Sequence, residues 1–276
     1  MTKLKLGFVR TGGKPLAYAG FTVLLFTMMG CNIGKLMPSS NNTSSNSPTS
    51  DKKTSDTSAS VATLCNNGYY PVGPTMVRKY HVVYPKGMLS DREYTESFSD
   101  FSGDTFVVNT DFGDLKAHVT WRCTPDGLLA TQFNNSIDVV KSGASAKVDT
   151  IDSNGVTFPP ADRWQPGEKW HAEYHVTETL NGRDGKPMGN GDGTVQQDGE
   201  IVGSESITVP AGTFQTMKAV LKTQLEITIK VKGMSMPMKV PFETTAWFAR
   251  DTGIVKAVTK MGETGDTTTE LISSNK

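Results

Sequence analysis

The stretch that decides the fold is "SITVPAGTFQTMKAV", residues 206–220. Extended, β-favouring segments precede and follow a compact Pro-Ala-Gly sequence. Pro210 presets φ for a type I turn, Ala211 continues the turn, and Gly212 takes the left-handed position of the closing bulge. The stretch therefore predicts a β-hairpin.

The same kind of pattern extends along the chain from about residue 65. In residues 169–176 apolar side chains occupy every second position, which is the period of a half-buried strand. They are Trp170, Ala172, Tyr174 and Val176. No convincing 3.6-residue apolar period runs over twelve residues of this region. We therefore predict an all-β protein, built as a curved antiparallel sheet that forms a half-barrel or open barrel.

An internal repeat indicates how the sheet is organised. "GPTMVRKYHV" from Gly73 matches "GEKWHAEYHV" from Gly167, and "WRCTPDGLL" from Trp121 matches "WFARDTGIV" from Trp247, in the same order. We predict a single β domain over residues 61–276, made of two duplicated units at about 65–145 and 146–276. The matches equate Tyr80 with Tyr174 and Trp121 with Trp247.

The second unit is longer than the first. Its additional residues fall around 181–193 and 232–241, and both stretches are rich in turn-forming residues. Such insertions are more typical of lengthened hairpins than of new domains.

The order "QPGEKW", "VPAGTF", Trp, "GIVK" and "TTTEL" over residues 165–271 resembles a loose group of bacterial envelope lipoproteins, the TapB-like and related uncharacterised families. The resemblance implies an exported, curved all-β domain with no established chemistry. It transfers no catalytic residue. The expected architecture is similar to the open barrel of the Lol lipoprotein carriers.

The N-terminus predicts export. A basic head is followed by an apolar core of about thirteen residues, too short to span a bilayer, in the layout of a secretory signal. The sequence "TMMGC" around Cys31 resembles the lipobox of bacterial lipoproteins. We predict a signal peptide at 1–30 and a lipid anchor on Cys31 with a Ser/Thr-rich linker at 31–60. An uncleaved membrane anchor or an ordinary secreted protein is the alternative.

These features place the protein in the cell envelope. It would be held at the outer membrane or cell surface by its N-terminal lipid, so the membrane is its first partner. In that oxidising compartment the two remaining cysteines, Cys65 and Cys123, are expected to form a disulfide. Two free buried thiols are the alternative.

Met234, Met236 and Met238 alternate along the second insertion, so their side chains point the same way. They could form an apolar lip that contacts a ligand or partner, since methionine is common on adaptable binding surfaces. Ordinary core packing and a Cu(I) site built from soft thioethers are the alternatives.

We find no catalytic, cofactor or metal site in the sequence. No Gly-x-Ser-x-Gly motif occurs. His171, Glu173 and His175 share one strand face, but that face lies opposite the apolar one and should be solvated. Removing the four basic signal residues leaves 24 Lys and Arg against 28 Asp and Glu, a net charge of −4, so nucleic acid is not expected as a partner.

The sequence therefore predicts a non-enzymatic, lipid-anchored envelope lipoprotein that binds an apolar ligand, a lipid or an envelope protein on a curved β surface. The alternative function is a structural or assembly factor that acts at the cell surface through protein contacts.

The anchor provides the first test. Replacing Cys31 with Ser should abolish acylation and release the protein from membranes, because stable anchoring needs the two acyl chains of a diacylglyceryl group. Membrane fractionation and intact-mass spectrometry check this. Wild-type protein that is membrane-bound but carries no acyl mass would contradict the prediction.

Overall fold

The computed structural model describes residues 65–86, 90–113, 116–133, 137–139, 144–182, 186–260 and 265–275. These residues form thirteen strands and one short 3₁₀ helix, Ala161–Arg163. The strands are β1 Val77–Val83, β2 Arg92–Ser102, β3 Thr105–Asp111, β4 Lys116–Thr124, β5 Gly127–Ala130, β6 Ile137–Val139, β7 Ala144–Gly155, β8 Lys169–Asn181, β9 Pro187–Val209, β10 Gly212–Val231, β11 Met234–Ala249, β12 Gly253–Lys260 and β13 Asp266–Ser274. The described part of the chain contains no helix with the length and hydrophobicity of a membrane span.

All thirteen strands belong to one antiparallel sheet. Their order is β5-β4-β3-β2-β1-β13-β12-β11-β10-β9-β8-β7-β6. The sheet curls into a nearly closed barrel, which confirms the predicted all-β class and curved antiparallel architecture. The hairpin predicted from residues 206–220 joins β9 to β10, and Gly212 at the start of β10 has a φ of 134°.

The barrel is closed by the residues that follow β7. Val156 N donates to His171 O of β8 at 2.8 Å, and Leu128 N of β5 donates to Phe158 O at 2.9 Å. Gly127 has a φ of 135°, and a Cβ there would lie 2.2 Å from Phe158 O. Because no other residue type tolerates this approach, Gly127 is required for the closure.

The first core fills the closed part of the barrel and is dominated by aromatic side chains. Its buried members are Cys65, Tyr70, Phe98, Phe106, Val108, Val119, Trp121, Cys123, Leu128, Ala130, Phe158, Trp164, Trp170, Ile201, Ala219, Leu221, Ala246, Phe248 and Ala257. The predicted disulfide between Cys65 and Cys123 is present at its edge. In the chain-entropy model, closing a loop of this length contributes about 4 kcal/mol to stability.

A buried ion pair lies beside the first core. Arg78 of β1 and Glu96 of β2 are cross-strand neighbours, and both side chains are fully buried. The Arg78 guanidinium donates to Glu96 and to the carbonyl of Pro71, and it lies 5.0 Å from the ring centroids of Tyr70 and Phe98. Burial lowers the pKa of Arg78, but Glu96 opposes this, and the net shift is upward. The guanidinium therefore stays charged.

The second unit has much longer strands than the first. β8 to β11 contain 13, 23, 20 and 16 residues, whereas β1 to β4 contain 7, 11, 7 and 9. The two sequence insertions therefore lengthen hairpins, as predicted. Their added length carries a second core, whose buried members are Val148, Ala172, Tyr174, Val176, Val195, Leu225, Ile227 and Ile229.

The structure shows the surroundings of the residue pairs that the repeat equates. Tyr80 and Tyr174 are both buried. Trp121 is buried in the first core, but Trp247 is half-buried and its Nε1 donates to exposed Glu205 at 2.6 Å. Phe248, one residue later, occupies the first core. The Trp121–Trp247 equivalence is therefore wrong, and the duplication itself stays a prediction.

Several predictions lie outside the described residues. They are the signal peptide at 1–30, the lipid anchor on Cys31 and the linker at 31–60.

Candidate functional site

The candidate site lies at the far end of the long hairpins, around residues 232–241. The end of this β10–β11 hairpin is called the methionine hairpin below. Met234 and Met236 are 62% and 43% exposed, whereas Met238 is half-buried against the second core. Along β11 the three methionines thus pass from the second core at Met238 to solvent at Met236 and Met234. Met234 and Met236 are not core residues.

Strand register organises this end of the sheet into rows of cross-strand neighbours. The row nearest the hairpin ends, called the outer row, is Leu180, Gly189, Val231 and Met234. The row beneath it, called the inner row, is Glu178, Gly191, Ile229 and Met236. In the outer row Leu180, Gly189 and Val231 are half-buried. In the inner row Glu178, Gly191 and Ile229 are buried, so the apolar surface is open at the outer row and at Met236.

The exception to this apolar character is Glu178. Its side chain is 1% exposed, and neither carboxyl oxygen has a hydrogen-bond partner among the described residues. Its strand neighbours are Val148 on β7 and Gly191 on β9. A Cβ at Gly191 would lie 3.2 Å from Glu178 Cβ and 2.9 Å from Ile227 Cδ1. Because Gly191 has no side chain, the side chains of Glu178 and Ile227 can both pack against its Cα.

This environment makes the ionised carboxylate costly. Burial raises the pKa of Glu178 from 4.5 to about 7, and no other cause contributes. A carboxyl group without a partner in apolar surroundings is disfavoured in its charged form. Such groups are concentrated at functional sites, because a carboxylate kept without a partner adds nothing to stability.

The sequence contains a signal that marks Glu178 as an inward-facing residue. The alternation that marks Trp170, Ala172, Tyr174 and Val176 as inward-facing continues to Glu178 and Leu180. A glutamate at an inward-facing strand position is unusual, since this residue is rarely buried without a pairing group.

The histidines considered as metal ligands lie elsewhere. His171 and His175 are on the exposed opposite face of β8, within 2.8 Å of Asp198 and 3.1 Å of Asp192 respectively. Within the described ranges no three His, Cys, Asp or Glu side chains are grouped to hold a metal ion.

A polar groove of about 530 Å³ crosses the same outward face. Neighbouring strands contribute charges of alternating sign to it, from Asp198, Lys222, Glu243 and Lys260. Because its charges alternate, the groove favours neither anions nor cations. The methionine hairpin presents an exposed apolar surface, and it is therefore the stronger candidate site.

The fold and this site define a class of protein: a nearly closed antiparallel β barrel with an apolar, one-sided extension. The chain belongs to the DUF3108-like family, whose model matches residues 116–274, more than half of its length. The match includes β4 to β13 and hence the whole candidate site. None of the curated proteins matches the chain.

Solved structures with a similar arrangement come from bacteria. One is a Bacteroides fragilis protein, described as an exported protein with a YmcC-like fold, which is 14% identical in sequence and has a TM-score of 0.44. The match covers 76% of this chain and 100% of the Bacteroides chain. A lipoprotein of Parabacteroides distasonis is 13% identical with a TM-score of 0.41, covering 76% and 99%. The hypothetical lipoprotein YmcC of Escherichia coli is 8% identical with a TM-score of 0.32, covering 79% and 90%.

The raised pKa predicts how Glu178 affects stability with pH. The folded protein holds the proton up to pH about 7, whereas the unfolded chain releases it near 4.5. The contribution of Glu178 is thus most favourable below pH 4.5 and is lost as pH rises to about 7. The total loss is about 3 kcal/mol.

Replacing Glu178 with Met should remove this loss. The variant should gain about 3 kcal/mol in unfolding free energy over wild type at about pH 8, and much less at about pH 5. Urea unfolding at both pH values checks this. An equal difference at both pH values would mean that the carboxyl group is not the cause.

Proposed function

We propose that this protein is a lipid-anchored envelope lipoprotein that binds an apolar chain at the methionine hairpin and catalyses no reaction. The observation that supports the proposal most directly is the exposure of Met234 and Met236, at 62% and 43%, on one strand face. Burying one fully exposed methionine side chain contributes roughly 1.5–3 kcal/mol, and the exposed parts of Met234 and Met236 together amount to about one such side chain.

The surroundings of the two methionines favour an apolar chain as the occupant. The outer row adds Leu180 and Val231, which are half-buried and pack against the second core. Methionine adapts its unbranched, polarisable side chain to irregular partners. A flexible hydrocarbon chain lying across the row would therefore extend an existing core.

The arrangement of the chain supports a role in the cell envelope. In the proposal, Cys31 carries the lipid, and residues 31–60 link this anchor to the barrel. The barrel would thus stay close to a membrane, which is a source of apolar chains.

Removing the two exposed thioethers tests the proposal. The double variant Met234→Ser, Met236→Ser should bind 1-dodecanol at least about tenfold more weakly than wild type, since tenfold corresponds to only about 1.4 kcal/mol. Its melting temperature should change little, because both side chains are already exposed. Isothermal titration and thermal unfolding give the two values.

Two single variants serve as controls. Met188→Ser alters another exposed methionine, 46% accessible, outside the row and should leave binding unchanged. Met238→Ser, in contrast, should reduce stability because Met238 packs against the second core. Unchanged affinity in the double variant, or no binding by wild type, would overturn the proposal and favour an assembly role through protein contacts.

A further inference from the structure

Glu178 has the geometry of a head-group site. It lies on the inward face of β8, in the inner row, and both carboxyl oxygens are without a hydrogen-bond partner among the described residues. The other inward-facing carboxylate of the barrel, Glu96, is paired with Arg78. The protein thus neutralises one buried carboxylate with its own cation and leaves the other unmatched within the described chain.

The side chains next to Glu178 cannot neutralise it. Its cross-strand neighbours are Val148 and Gly191, and the inner row continues with Ile229 and Met236. None of these carries a positive charge or a side-chain hydrogen-bond donor. No described residue donates a hydrogen bond to either oxygen of this carboxylate.

The carboxylate lies close to the open end of the site. Only the outer row separates it from the hairpin ends, and two residues along a strand correspond to about 7 Å. Across the sheet, Met236 is three strands from Glu178, or about 14 Å at the usual strand spacing. An extended dodecyl chain spans that distance, so a head group at Glu178 and a chain that reaches Met236 across the half-buried outer row fit one molecule.

We propose that Glu178 binds the ammonium head of an amphiphile whose apolar chain lies on Met236 and Met234. This inference rests on the proposed function and adds the chemical class of the ligand. A protonated amine supplies both the positive charge and the hydrogen bonds that the two carboxyl oxygens lack. A fatty acid would instead place a second negative charge beside the first, and an alcohol would leave the charge uncompensated.

The test compares two probes that differ only in the head group, dodecylamine and 1-dodecanol, titrated as monomers at about pH 8, where most of Glu178 is ionised. Wild type should bind dodecylamine at least about tenfold more tightly, because a hydrogen bond to a charged group contributes about 1.5–3 kcal/mol. Glu178→Gln should reduce the affinity for dodecylamine to that for dodecanol and leave the affinity for dodecanol unchanged.

The matched control is Glu173→Gln. Glu173 lies on the same strand as Glu178, five residues earlier and on the opposite face, so this variant removes the same charge and should keep the preference for the amine. If Glu178→Gln does not fold, Glu178→Met, which is apolar and of similar length, provides the same comparison.

The outcomes separate this inference from the proposed function. Equal affinity of wild type for both probes would overturn the assignment of Glu178 while leaving apolar binding intact. Equal losses in Glu178→Gln and Glu173→Gln would also overturn it, because the effect would then be one of net charge. Failure of wild type to bind either probe would remove the proposed function, and this inference with it.

Discussion

Unequal strand length is the constraint on which the rest of this structure depends. At about 3.3 Å per residue, the 20 residues of β10 extend to about 66 Å, whereas the 7 residues of β1 extend to about 23 Å. The short strands can close a barrel only around the first core. The long strands must continue past it, and they need a second core of their own. That second core has no short strands to cover its far end, where Met234 and Met236 are exposed.

Two inward-facing glutamates of this sheet differ in whether a cation is paired with them. Glu96 lies where strands are packed on all sides, and it has Arg78 directly across from it. Glu178 is buried in the extension formed by the long strands, beside a valine and a glycine. A pairing cation within the extension would have been the simpler way to stabilise it. Glu178 lowers the stability of the protein near neutral pH. The proposed ligand would account for its presence, because the ligand supplies the partner that the carboxylate lacks.

Much of the fold follows from local sequence patterns, whereas the site depends on register. The Pro210–Gly212 turn, the Cys65–Cys123 disulfide and the lengthened hairpins could all be predicted, since each depends on nearby residues or on a simple count. The equivalence of Trp121 and Trp247 was wrong because the two turns differ. β4 and β5 are joined by two residues, β11 and β12 by three, and a bulge follows Trp247. One residue reverses the face of a strand position. The strand neighbours of Glu178 are Val148 of β7 and Gly191 of β9, which no spacing along the chain reveals.

Photo-crosslinking in intact cells tests the central claim, that the exposed end of the methionine hairpin holds an apolar chain. A photoreactive phenylalanine analogue at position 236 is compared with the same residue at position 151, since Ile151 is also an exposed apolar residue at 60% accessibility but lies on β7. We expect a lipid-mass adduct on the protein labelled at position 236 and none on the protein labelled at 151. No adduct at 236, or equal adducts at both positions, would contradict it.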